Sequence, residues 1–321
     1  LNVQNAGANA YNVAVGYEAG KEVTSGTLNT LVGGLAGDAL TSGSRNIAMG
    51  YEALSTEDTG HRNVAIGYQA LKVQNYGDNN YNVAVGYQAG SSVTSGLRNV
   101  LIGGEVADAL TSGNDNVALG HAALGAEDTG AKNTAIGSYA LASLDYNGDG
   151  HNIAVGFNAG LNMSTGTQNT IIGSVAGDAL TTGGSNIAIG VLALSAEDTG
   201  SRNVAIGYGS LENQNYDGSA YNVAVGYDSG KQITTGIRNT IMGSLAGDAL
   251  TTGSNNVAIG YAALSGEDGN GRNVAIGAGA LYALNAGADA YNIAIGYDAG
   301  GSMSTGTNNT IMGGFARDAL T

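Results

Sequence analysis

The chain has no cysteine, no proline and no tryptophan, and only 11 Lys and Arg among 321 residues. Without cysteine there is no disulfide framework and no thiolate metal site, and redox compartment leaves no trace. With no G-X-Y period, the 55 Gly do not make collagen. The few basic residues are scattered against 26 acidic ones, and a net charge of −15 excludes a nucleic-acid binder. Apolar residues never run for eighteen or more, so no transmembrane helix or signal peptide is visible and no membrane insertion is expected. Catalytic signatures are also missing. His61, His121 and His151 sit in unrelated contexts, and "GDALTSG" lacks the Lys of a phosphate loop. No enzyme is expected.

What the chain has is a period. Aligning on the Asn of "NVAVG" gives Asn12, Asn29, Asn46, Asn63, Asn82, Asn99, Asn116, Asn133, Asn152, Asn169, Asn186, Asn203, Asn222, Asn239, Asn256, Asn273, Asn292 and Asn309. The spacings run 17, 17, 17 and 19, so 18 coils group into super-repeats of 70 residues. These cover 12–81, 82–151, 152–221, 222–291 and, in part, 292–321. The stretch "LNVQNAGANAY" at 1–11 matches "LKVQNYGDNNY" at 71–81, so we expect a single shaft, 1–321, cut from a longer fibre.

Windows of this length between glycines are too short for helical repeats and fit strand–turn–strand–turn coils, an all-β parallel solenoid. Counting from the repeat Asn, position +4 is always Gly (Gly16, Gly33, Gly50, Gly67 and onward) and ends the first strand. Position +14 is Gly26, Gly43, Gly60 and their equivalents, replaced once by Asn270. Gly exchanged only for Asn predicts a left-handed backbone there. The Asn column itself predicts a ladder of side-chain hydrogen bonds from coil to coil.

A strand alternates its faces. Placing +1 and +3 inside (Val13 and Val15, Ile47 and Met49, Val64 and Ile66) with Val23, Leu40, Leu54 and Leu71 leaves +2 outside. Ala14, Leu31, Ala48, Ala65, Leu101, Ile171, Ile241 and Ile311 would then form an apolar stripe and an oligomer interface. The reverse parity puts Val and Ile outside, a still more apolar face. Either way the face calls for a cover, and three copies about one axis is the simplest closed solution, a homotrimer.

"NVAIGYQAL", "NIAIGVLAL" and "NVAVGYQAG" resemble the N-x-A-[IV]-G-x-x-[AS] repeats of YadA-like heads in trimeric autotransporter adhesins and of bacteriophage tail-fibre proteins. The resemblance implies a left-handed parallel β-roll. It also implies a structural fibre, a phage tail or capsid fibre projecting a host-binding tip from the virion surface. A bacterial surface adhesin or extracellular filament is the alternative, and a glycan-cleaving tailspike with paired carboxylates a remote one.

Other features weigh less. The longer fourth coils carry loops such as "KVQNYGDNNY" and "ENQNYDGSAY", suited to a host-surface glycan or protein. One loop places Asp145, Asn147 and Asp149 in the first half of a calcium motif, yet Gly156 stands where the bidentate Glu belongs. A weak calcium site there is the nearest approach to a cofactor, and none is otherwise expected. Asp38, Asp108, Asp178, Asp248 and Asp318, with the pairs Glu57-Asp58, Glu127-Asp128, Glu197-Asp198 and Glu267-Asp268, read as solvated charge that maintains solubility.

Overall fold

The computed structural model describes residues 3–7, 9–269 and 271–316; the predictions for Asn270 and Asp318 fall outside them. The chain is all-β: 18 parallel strands wind as a β-solenoid of about 18 turns, and no helix occurs among the described residues. It divides into two compact units, Leu1–Asn158 and Ala159–Thr321. The first holds nine three-residue strands, from β1 (Val13–Val15) to β9 (Ile153–Val155), and the second nine more, from β10 (Thr170–Ile172) to β18 (Thr310–Met312).

Within each unit every strand pairs in parallel with the next one in sequence. Val13 lies opposite Thr30 at the start of β2 (Thr30–Val32). Val64 of β4 (Val64–Ile66) lies opposite Val83 of β5 (Val83–Val85), the two extra residues being absorbed in the loop between them. Each turn contains one strand rather than the two expected. The remainder is bends and tight turns, because the far side has too few consecutive extended residues to form a ladder.

Gly at +4 is required twice over. Its φ is +133° at Gly16, +136° at Gly33, +140° at Gly50 and +135° at Gly67, a region that L side chains rarely adopt. A Cβ on Gly33 would also stand 2.5 Å from the Gly50 carbonyl oxygen of the next coil. The +14 glycines correct the sequence expectation: Gly26, Gly43 and Gly60 are not left-handed. They are glycine for room, since a Cβ on Gly26 would meet the Gly43 oxygen at 2.3 Å and one on Gly60 the Glu57 carboxyl carbon at 2.4 Å. The left-handed residues are instead those at −1, +6 and +8, such as Arg45 (φ 61°), Glu52 (φ 53°) and Leu54 (φ 51°).

The Asn column does bond from coil to coil, but mainly through the backbone. Asn29 Oδ1 accepts the N–H of Asn46 at 2.9 Å, while its Nδ2 donates to the Gly43 carbonyl at 2.8 Å. One buried side chain thereby closes its own coil and holds the following one. Direct amide–amide bonds are fewer, as from Asn99 Nδ2 to Asn82 Oδ1 at 3.3 Å.

The parity is the reverse of the first expectation. Leu31, Ala48, Ala65, Leu101, Ile171 and Ile241 are 0% exposed and Ile311 2%, all inside the coil, and Ala14 in the first coil is half-buried. They pack with +7, +8 and +11 residues, among them Val23, Leu40, Leu54 and Leu71, which are buried as expected. The physical reason is volume. In a coil this narrow, third coils set Ala at +2 against Leu at +8 (Ala48 with Leu54), and second coils set Leu or Ile at +2 against Gly or Ala at +8 (Leu31 with Gly37, Leu101 with Ala107). A Cβ on Gly37 would stand 2.9 Å from Leu31 Cδ2, so the two positions share one space.

Gly33→Ala should destabilise the protein by about 2–5 kcal/mol through φ strain and overlap. Gly34→Ala, whose Cβ meets only the Tyr51 ring at 3.4 Å, should stay within about 0.5 kcal/mol. Urea denaturation of the two variants side by side measures the contrast.

Candidate interaction surface

With +2 inside, the strands turn +1 and +3 outward. Val13, Val15, Ile47, Met49, Ile102, Leu119 and Ile153 are exposed in the first unit, and Ile172, Ile187, Met242, Ile293 and Met312 in the second. Each unit thus carries two parallel columns of Val, Ile, Leu and Met, with occasional Thr, on a sheet face. An apolar surface of this kind on a strongly acidic chain is the clearest candidate for contact with another molecule. The residues singled out from sequence for that role lie inside the coil, and their neighbours at +1 and +3 are the ones exposed.

Next to this face runs the +5 aromatic column. Tyr51 stacks on Tyr68 with ring centroids 5.7 Å apart, Tyr68 on Tyr87 at 5.3 Å, and Tyr208 on Tyr227 at 5.4 Å. Rings at adjacent coils are therefore spaced by the strand separation plus a small offset.

The fourth-coil loops are anchored rather than free. Three of the four are bridged to the preceding coil, at His61–Asn79, Ala131–Asp149 and Ser201–Ser219. A cation reinforces the joint: Arg62 lies over the Tyr81 ring at 5.3 Å, Arg202 over Tyr221 at 5.6 Å, and Arg272 over Tyr291 at 5.3 Å. Beneath the loops lies a group that the sequence reading misassigned. Glu57, Glu127, Glu197 and Glu267 are not solvated; they occupy the +11 core position and are 0% exposed. Glu57 accepts from Gly60 N–H at 2.7 Å, Tyr76 N–H at 3.4 Å and Asn80 Nδ2 at 2.9 Å, tying its own turn to the loop above. Glu127 and Glu197 repeat the Gly and Tyr contacts, but Gly150 and Ala220 stand in place of Asn80. Comparing +11 down the repeat (Val23, Leu40, Glu57) would have revealed a carboxylate in a hydrophobic column.

Burial pushes all three of these carboxyls above the ordinary range, Glu127 and Glu197 to about 7. Asn80 opposes the rise at Glu57 by donating to the carboxylate, and Glu127 and Glu197 lack that donor. Asp38, Asp108, Asp178 and Asp248 are half-buried and also raised by desolvation.

The calcium-like triplet does not assemble. Asn147 Oδ1 accepts the Thr129 hydroxyl at 2.6 Å, and Asp149 pairs with Lys132 Nζ at 2.5 Å. Asp145 instead approaches Glu127 and Asp128, the three offering carboxylate oxygens within 4.8 Å of one another. These could hold a cation only where this one super-repeat has Asp; Asn75, Asn215 and Asn285 replace it in the others. The histidines stay apart: His61 Nδ1 accepts Ser44 N–H at 2.8 Å, and His121 meets Glu105 at 3.6 Å. No family model and no curated protein matches the chain.

Because Glu127 and Glu197 hold protons in the fold that the unfolded chain releases above about pH 4.5, stability should fall as pH rises from there to about 7 and level off beyond. The raised aspartates act in the same direction. Thermal melts across pH should show this slope, flattened in the Glu127→Gln, Glu197→Gln double variant. Ala220→Asn, which offers Glu197 the donor that Glu57 has, should raise the melting temperature at pH 7.5. A chelator should leave the melting temperature within about 1 °C, since Asn147 and Asp149 already have protein partners; a drop of several degrees would assign a structural ion to the acidic cluster.

Proposed function

We propose that the chain is a shaft segment of an extracellular fibre, of the phage tail- or capsid-fibre kind, assembled as a homotrimer along its outward apolar columns. One observation carries the reading. Val, Ile, Leu and Met at +1 and +3, with occasional Thr, stand on a regular sheet face, many of them exposed, while the acidic residues lie elsewhere. Burying such columns removes apolar area from water at roughly 25 cal/mol per Å², and a repeated patch gives a contact that grows with length. Three identical copies turn the same face to a common axis and close the assembly without leaving a face open for further growth. Side-to-side aggregation is opposed by the net charge of −15.

The mechanical role follows from the backbone. Within each unit the coils are held one to the next by strand hydrogen bonds, by Asn bridges and by turn bonds such as Gly20 N–H to the Ala36 carbonyl at 3.0 Å. Stiffness is thus distributed along the chain rather than concentrated in one core. The 19-residue coils interrupt the outline with loops bearing Tyr76, Tyr146 and Tyr216, which supply repeated weak contacts to a host-surface glycan or protein.

Charge placed on the face separates this reading from its competitors. Met49→Glu with Ile187→Glu should reduce the mass in multi-angle light scattering from three chains to one and leave the circular dichroism unchanged. Leu31→Asp should unfold coils instead, since it buries a carboxylate in the interior. A parent protein that is already monomeric at about 100 μM would rule out the trimer. Electron microscopy of the source material then distinguishes fibres on virions from filaments on cells.

A further inference from the structure

An open cleft of about 450 Å³ lies in the second unit, lined by Tyr261, Tyr282, Tyr297, Phe315, Asp298 and Ser302 among others. Its origin is visible by comparison with the equivalent place one super-repeat earlier. There Tyr208 stacks on Tyr227, and Lys231 Nζ lies 3.3 Å from both Asp228 and Glu212. Seventy residues on, Tyr208 becomes Ala278, Lys231 becomes Gly301 and Glu212 becomes Tyr282, while Tyr227 and Asp228 persist as Tyr297 and Asp298.

The carboxylate stays in the same seat. A Cβ on Gly209 would meet Asp228 Oδ1 at 2.3 Å, and one on Gly279 would meet Asp298 Oδ1 at 2.0 Å. The repeat has therefore lost an aromatic ring and an ammonium group and kept the anion that faced them. Among the described residues, no ion pair engages Asp298.

We propose that this cleft binds a small organic ammonium ion, quaternary or methylated, in the place that Lys231 fills in the preceding super-repeat. The +5 rings of Tyr261 and Tyr297 are separated by two strand spacings, roughly 10 Å. A cation midway stands about 5 Å from each ring, within the range of favourable cation–π attraction. Tyr297 and Phe315, with centroids 5.0 Å apart and planes at 74°, form a corner that offers both a ring face and a ring edge. Tyr282 adds an aromatic wall where the earlier repeat has the second carboxylate of its lysine site. Among the described residues no basic side chain lines the cleft, and Asp298 provides the counter-charge. Methyl groups on the nitrogen occupy the volume vacated by the Tyr208 ring and the lysine stem, which a bare ammonium would leave to water. The proposal is independent of the fibre reading.

Choline chloride titrated into the intact chain at fixed ionic strength, followed by calorimetry, should show saturable binding with Kd on the order of millimolar. The neutral isostere 3,3-dimethylbutan-1-ol and methyl glucoside should bind at least about fivefold more weakly. Gly301→Lys restores the internal ammonium and should abolish choline binding with an unchanged melting temperature, as should Ala278→Tyr by refilling the ring position. Asp298→Asn should weaken binding about fivefold. No saturation up to about 50 mM choline, equal affinity for the alcohol or the glucoside, or choline binding that survives Gly301→Lys would each overturn the assignment.

Discussion

Everything in this molecule depends on how closely one coil can lie on the next. Strands separated by about 4.8 Å leave no room for side chains where the backbone turns towards its neighbour. Two columns of glycine, at +4 and +14, clear that space. Where they stand, a carbonyl of the following coil comes within 2.3–2.5 Å of the point a Cβ would occupy at Gly16, Gly33, Gly50 and Gly26. The Asn column secures the approach by accepting one backbone N–H and donating to one backbone carbonyl that the turns would otherwise leave buried and unpaired. In the 19-residue coils the bargain is incomplete. Nδ2 of Asn63, Asn203 and Asn273 has no acceptor among the described residues, because the longer loop carries the +14 carbonyl away.

The interior obeys a second constraint, that of fixed cross-section. Four side chains per coil share it, and a large residue at one position is matched by Gly or Ala at another. Against that background the third-coil glutamates are functional in a structural sense. A Leu in the same place could pack but could not satisfy the N–H groups of the turn and of the loop above. The carboxylate does so at the cost of desolvation, which draws its proton affinity towards neutrality. The loops that project from the fold are thereby coupled to pH through their own foundations.

Outside, the roles separate by column. The sheet face is apolar and uniform, suited to a repeated contact with identical copies. The aromatic column varies from coil to coil, and variation there changes what the surface can hold. Where rings follow one another they satisfy each other by stacking; where Ala278 and Gly301 replace a ring and a cation, a cleft opens beside a retained carboxylate. A repeat protein acquires a site in this way by local deletion, leaving the backbone undisturbed.

The sequence by itself determined the coil, because a period is a property of the linear chain: the Asn spacing, the glycine columns and the short apolar windows admit stacked parallel strands and little else. It also determined that one strand face would remain apolar, since both alternating faces of "NVAVG" and "NIAIG" are. Only the tertiary structure decided which face is which. Three-residue strands alternate Val–Ala–Val and Ile–Ala–Ile, and neither parity is more hydrophobic by enough to choose. The cross-section chose it, because an interior already holding Leu54 or Leu71 has room for Ala65 but none for two further β-branched chains. The same cause hid the buried glutamates beside less buried aspartates, and turned the +14 glycine from a matter of φ into one of space. In each case the missing information was the distance to the next coil, which no single turn of the chain contains.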